Sequence, residues 1–139
     1  MEHRESIIEG YNALLTEFDG LKLKQLIVCQ KTETKEPVIL FLKIENQNWH
    51  EYFLDAGLVF WRNYDEMEAE IEMEEEDAFC YVDKTNELDL FEKVISTIRC
   101  EADHNNSKLI IEFKSKEKLI LQTITPEIFD SETELIFKK

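Results

Sequence analysis

The sequence predicts an α+β fold dominated by antiparallel strands, in which an N-terminal helix packs on one meander or on two similar four-strand units. Three observations carry this expectation: helical spacing of apolar residues over 6–19, strand-like runs from Leu21 onward, and short connections between those runs. The 139 residues are 43% hydrophobic and 11% aromatic, enough for one core, so residues 1–139 read as a single domain.

Ile7, Ile8, Tyr11, Leu14, Leu15 and Phe18 recur three and four residues apart, which places them on one helical face suited to docking on a sheet. Ser6 and Glu9 have capping-box spacing, and Asp19-Gly20 supplies the stop. Gly10 works against this helix by about 1 kcal/mol relative to alanine.

A first strand series occupies 21–64. Leu21 to Cys29 alternates and then becomes continuously apolar, Lys31 to Pro37 is a polar loop, and Val38 to Ile44 reads as a central strand. Trp49 to Leu54 and Leu58 to Tyr64 form a hairpin around Asp55-Ala56-Gly57.

A second series occupies 94–138: Val94 to Cys100, a polar loop over Glu101 to Ser107, a hairpin of Lys108 to Lys114 with Lys118 to Ile124, and a short strand at Glu134 to Phe137. At an offset of 71, Ile27 falls on Ile98, Cys29 on Cys100, Leu40 on Ile111 and Leu42 on Phe113. Any two half-buried strand series match at apolar positions, and coincidence is the preferred reading of that alignment over duplication.

The acidity is local. The net charge is -15, of which residues 65–93 contribute -11, against -3 for residues 1–64 and -1 for residues 94–139. In Asp65-Glu66-Met67-Glu68-Ala69-Glu70-Ile71-Glu72-Met73-Glu74-Glu75-Glu76-Asp77, helix propensity competes with strict alternation. A helix would stack like charges four apart, so an edge strand or irregular arm is expected, with glutamates that discourage edge-to-edge pairing. Phe79 to Val82 then returns to the sheet, and Glu87 to Phe91 is a turn or short helix capped by Asn86.

Several function classes lack their parts. Gly10, Gly20 and Gly57 form no phosphate-cradling cluster, and Cys29, Cys80, Cys100, His3, His50 and His104 are solitary rather than paired at metal-ligand spacing. The cysteines read as small core residues, and His50, beside Trp49, is expected to face solvent. No nucleophile elbow is present, the acidic run has no EF-hand glycine, and the aromatics Trp49 to Tyr64 have only Arg62 beside them, where nucleic-acid binders cluster cations. No catalysis, metal, cofactor or nucleic acid is therefore expected. The N-terminus lacks a signal-peptide pattern, no apolar run would span a membrane, and three cysteines do not make a disulfide framework, so a reducing cytoplasm is expected.

These features point to a small acidic protein-binding module with a basic protein partner. The expected contact residues are Asp65, Glu66, Glu68, Glu70, Glu72, Glu74, Glu75, Glu76 and Asp77, with Trp61 and Tyr64 presented at the sheet surface. In size and charge the chain resembles the broad class of small acidic bacterial immunity and inhibitor proteins, which implies a cationic target. Two other readings stand beside it: an assembly-forming β-rich domain whose acidity guards a sheet edge, and a small-molecule pocket between the sheet and the N-terminal helix. Mimicry of DNA ranks lower, because the flanks are nearly neutral.

Overall fold

Period-two runs become strands in the computed structural model, which describes residues 5–9, 12–15, 18–55, 58–75, 77–103, 106–123 and 133–139. The strands are β1 (Glu5–Glu9), β2 (Asn12–Leu15), β3 (Leu23–Lys31), β4 (Pro37–Ile44), β5 (Trp49–Asp55), β6 (Leu58–Tyr64), β7 (Phe79–Asp83), β8 (Ile95–Asp103), β9 (Asn106–Phe113), β10 (Lys118–Thr123) and β11 (Thr133–Lys138). One short helix, α1 (Glu66–Glu72), lies between β6 and β7. The strands build two antiparallel sheets, β1-β6-β5-β4-β3-β7 and β11-β10-β9-β8-β2.

Among the described residues, the expected N-terminal helix is replaced by two short strands. β1 pairs with β6 from Glu5↔Arg62 to Glu9↔Leu58, and β2 pairs with β8 from Asn12↔Glu101 to Leu15↔Ile98. The segment thus leaves one sheet and joins the other within a few residues, strapping the two together. Two β-branched residues at 7 and 8 weaken a helix, and each short strand covers backbone groups that an open edge would expose. Tertiary pairing wins over the apolar spacing. The Asp19-Gly20 stop survives as a turn: Gly20 adopts φ +83°, and its N–H donates to the Ile95 carbonyl at 2.8 Å.

The facing sheets share one apolar cluster. Leu26, Leu40, Leu42, Tyr52 and Val59 from the six-stranded sheet meet Ile98, Leu109, Ile111, Phe113 and Leu121 from the other, all essentially inaccessible. Each such Leu, Ile or Phe contributes about 1.5–3 kcal/mol through burial. A second cluster covers the outer face of the six-stranded sheet, where Cys29, Phe41, Trp49 and Tyr64 pack under Ala69 of α1, with Met73 beside them. β4 is continuously apolar because its inner residues (Leu40, Leu42, Ile44) and its outer ones (Ile39, Phe41) are both covered.

Strands β3–β6 and β8–β11 are both four-strand meanders, and their ladders slip at corresponding places, between Leu23 and Gln25 and between Ile95 and Thr97. The correspondence differs from the alignment at 71. Leu23, Leu26 and Val28 take the places of Ile95, Ile98 and Cys100, an offset of 72, while Leu42 takes that of Ile111, an offset of 69. The sequence alignment set Cys29, on the outer face, against Cys100, on the inner one. A one-residue slip exchanges faces, so apolar matching alone could not find the register.

Other expectations shift in detail. β8 and β9 extend through most of the anticipated loop at 101–107, and the hairpin tip Ala56-Gly57 lies outside the described residues. The 84–90 connection is a turn, with the Leu90 N–H bonded to the Thr85 carbonyl at 2.8 Å. Asp83, rather than Asn86, organises it, since its carboxylate accepts from the Thr85 N–H and from the Gln25 amide, each at 2.9 Å. Burial alone would raise the Asp83 pKa, but the hydrogen bonds from Thr85 and Gln25 outweigh it and hold the carboxyl below its ordinary range.

Candidate functional site

The acidic segment folds as a helix rather than as the expected strand or irregular arm. Glu, Met and Ala are strong helix formers, and Asp65, whose carbonyl accepts from the Ala69 N–H at 3.0 Å, stands at the start, where negative charge suits the helix dipole. Ala69 is fully buried and Met73, one turn on, packs beside it, so these two form the docking stripe.

As a strand, the alternation would put Met67, Ala69, Ile71 and Met73 on one face and glutamates on the other; the helix separates them. Met67 and Ile71 instead point outward at 72% and 63% exposure, the largest values among the exposed large apolar residues. They lie four positions apart and hence on one side of the helix. Glu70, Glu74, Glu75 and Asp77 are exposed around them. Glu66, Glu68 and Glu72 are backbone members of α1, Asp65 is half-buried, and Glu76 lies outside the described residues. No ion pair joins Glu70, Glu74, Glu75 or Asp77 to a described lysine or arginine. The surface therefore has an apolar centre with carboxylates at its margin.

Trp61 and Tyr64 contribute no such surface, as each is only 4% exposed. Trp61 faces the inner cluster, where its indole N–H donates to His50 Nδ1 at 3.0 Å, and the two rings stack with centroids 5.7 Å apart. Phe18 meets the same imidazole edge-on at 4.6 Å. His50, expected in solvent, is thus fully buried. The expectation failed because it assumed one wet face for this sheet, whereas Trp49 and His50 alternate between two covered faces. Trp61 across the ladder from Tyr52, beside His50, was the only signal available, and pairing was needed to read it.

On the opposite face, Arg62 donates to the Tyr64 hydroxyl at 2.8 Å and approaches Glu51, 3% exposed, at 4.0 Å. Burial holds the Tyr64 phenol well above its usual pKa, and Glu51 adds to the effect while Arg62 opposes it. The hydroxyl consequently stays protonated. Sequence reading singled out neither Glu51 nor Arg62 for this role.

Among the described residues, no group of three His, Cys, Asp or Glu converges as a metal site, and no helix is long and apolar enough to cross a membrane. Cys29 and Cys100 lie in different clusters, the first under α1 and the second between the sheets. Burial pushes the Cys100 thiol up to about 12, whereas Cys80 on β7 is half-buried. Only the thiolate attacks. A thiol-reactive disulfide reagent at pH 8 is expected to label Cys80 in the folded protein, with Cys29 and Cys100 reacting only after denaturant is added. Mass mapping checks this, and rapid native labelling of Cys100 would contradict its placement.

The chain matches no family model, no curated protein and no solved structure.

Proposed function

We propose that this chain is a non-catalytic protein-binding module whose 65–77 segment engages a basic, amphipathic partner. The observation that carries the reading is the outward pair Met67 and Ile71 beside exposed Glu70, Glu74, Glu75 and Asp77. Apolar side chains of this size supply contact energy when a partner dries them, and surrounding carboxylates steer cationic partners and disfavour acidic ones. A charge placed only to guard a sheet edge would leave Met67 and Ile71 without a purpose. α1 covers a sheet face and is itself no edge strand.

A fluorescent amphipathic Lys/Leu helical peptide provides the test, with a Lys/Ser peptide of equal charge as control. The Lys/Leu peptide is expected to bind more tightly and to weaken severalfold between 50 and 300 mM salt, as screening removes the steering field. The variant Glu70→Gln/Glu74→Gln/Glu75→Gln/Asp77→Asn should weaken it about tenfold, and Met67→Ser/Ile71→Ser should erase the preference over the control. Equal binding of both peptides to the original protein and to both variants would end this reading.

A further inference from the structure

Away from α1, a cleft of about 330 Å³ opens between the inner face of the six-stranded sheet and β11, the outer strand of the other. That volume lies at the lower end of the range for small-molecule sites. Part of its wall is apolar: Val28 belongs to the buried cluster, while Leu88, Leu135 and Phe137 pack on that cluster but remain only partly covered. The β11 wall, from Thr133 to Phe137, spans about 13 Å at ~3.3 Å per residue, the reach of an extended medium-length acyl chain.

Gln30 and Lys35 stand at one end of the cleft, and Lys84 and Glu87 line it near Leu26. Gln30 pairs with Pro37 at the turn between β3 and β4, and Lys35 sits in that turn. Gln30 lines the cleft at 8% exposure, and its side-chain amide is not one of the fully buried polar groups left without a partner. An amide that opens onto the cleft can donate to an acceptor on an incoming ligand. Lys35 lines the rim, is exposed, and pairs with no described carboxylate.

The other charges there are already engaged. Lys84 pairs with Glu87 at 2.8 Å, and Glu134 accepts from the Gln122 amide at 2.6 Å. Glu36 accepts from the Thr133 N–H at 2.9 Å and pairs with Lys31 at 3.2 Å. Lys35 is accordingly the cation left for an incoming anion.

We propose that this cleft binds a small amphiphilic carboxylate, its chain along Val28, Leu135 and Phe137 and its head group between the Gln30 amide and the Lys35 ammonium. The proposal is independent of the peptide-binding reading, since it uses none of the residues of α1.

The probe is decanoate, titrated into the intact protein by calorimetry and by ¹H–¹⁵N NMR. Saturable one-to-one binding is expected, with shifts at Gln30, Lys35 and Leu135. Decanol, which keeps the chain but lacks the charge, should bind at least about tenfold more weakly, and Lys35→Glu should weaken decanoate to a similar degree. Leu135→Trp, which fills the cleft, should abolish binding. Were Leu135→Trp to misfold, the exposed Lys35→Glu variant and the decanol comparison would still decide the matter. Non-saturable uptake, or equal affinity for decanoate and decanol, would overturn the proposal, as would decanoate affinity unchanged by Lys35→Glu.

Discussion

Deletion of residues 1–17 is expected to turn a cooperatively folded chain into one that self-associates or unfolds at much lower denaturant. β1 and β2 supply nine ladder positions, five against β6 and four against β8. At about 0.5–1.5 kcal/mol net per hydrogen bond, their loss removes several kcal/mol from a typical total of about 5–15. The deletion also uncovers an edge on each sheet at once, and open edges recruit other chains. Phe18 is retained, so the buried cluster keeps that ring. Sedimentation and urea titration would register the change, and a synthetic 1–17 peptide added in trans should partly reverse it by strand addition. A monomeric deletion variant with an unchanged urea midpoint would show that the strap contributes nothing.

Phe113→Ala is expected to cost about 3–5 kcal/mol, through lost transfer energy and the cavity left behind. Phe113 is 1% exposed, at the end of β9 opposite the slipped ladder position at Ile95. Phe91→Ala is the natural control. Its ring is 58% exposed and carries only the Lys24 ammonium, 5.4 Å from its centroid, so its loss should stay within about 0.5 kcal/mol. Equal shifts in urea midpoint for the two variants would mean that the inner cluster is wrongly placed.

Those two phenylalanines also show where sequence reasoning succeeds and where it stops. Ile111, Glu112 and Phe113 alternate within a run bounded by polar turns, which marks a strand and points Phe113 inward. β4, β5, β6 and β10 were legible as short apolar-rich runs bounded by turn residues. The N-terminal segment was misread because two short strands separated by a break can share the spacing of one helix face. Only their partners, some fifty and ninety residues further on, distinguish the two. The acidic helix was misread in the opposite direction. Met67, Ala69, Ile71 and Met73 alternate, yet only Ala69 and Met73 contact the sheet.

The candidate surface was therefore half legible. Its charge is a matter of composition and was visible at once, whereas the outward apolar pair required a helix to turn it away from the protein. Trp61 and Tyr64 were assigned to the surface because nothing in the sequence says that both faces of their sheet are covered. The cleft was invisible for a simpler reason, as its walls come from residues 28–37, 84–88 and 133–137.

The strap also governs the order in which a nascent chain can acquire its structure. Of the described strands, β1 and β2 are made before the others, but β1 must wait for Tyr64 and β2 for Asp103 before their partners exist. Such distant pairing is slow, and apolar segments are exposed in the interval. Vectorial synthesis should thus leave β1 open to chaperones until Tyr64 has emerged and β2 until Asp103 has, so that the strap closes on the second sheet after the first.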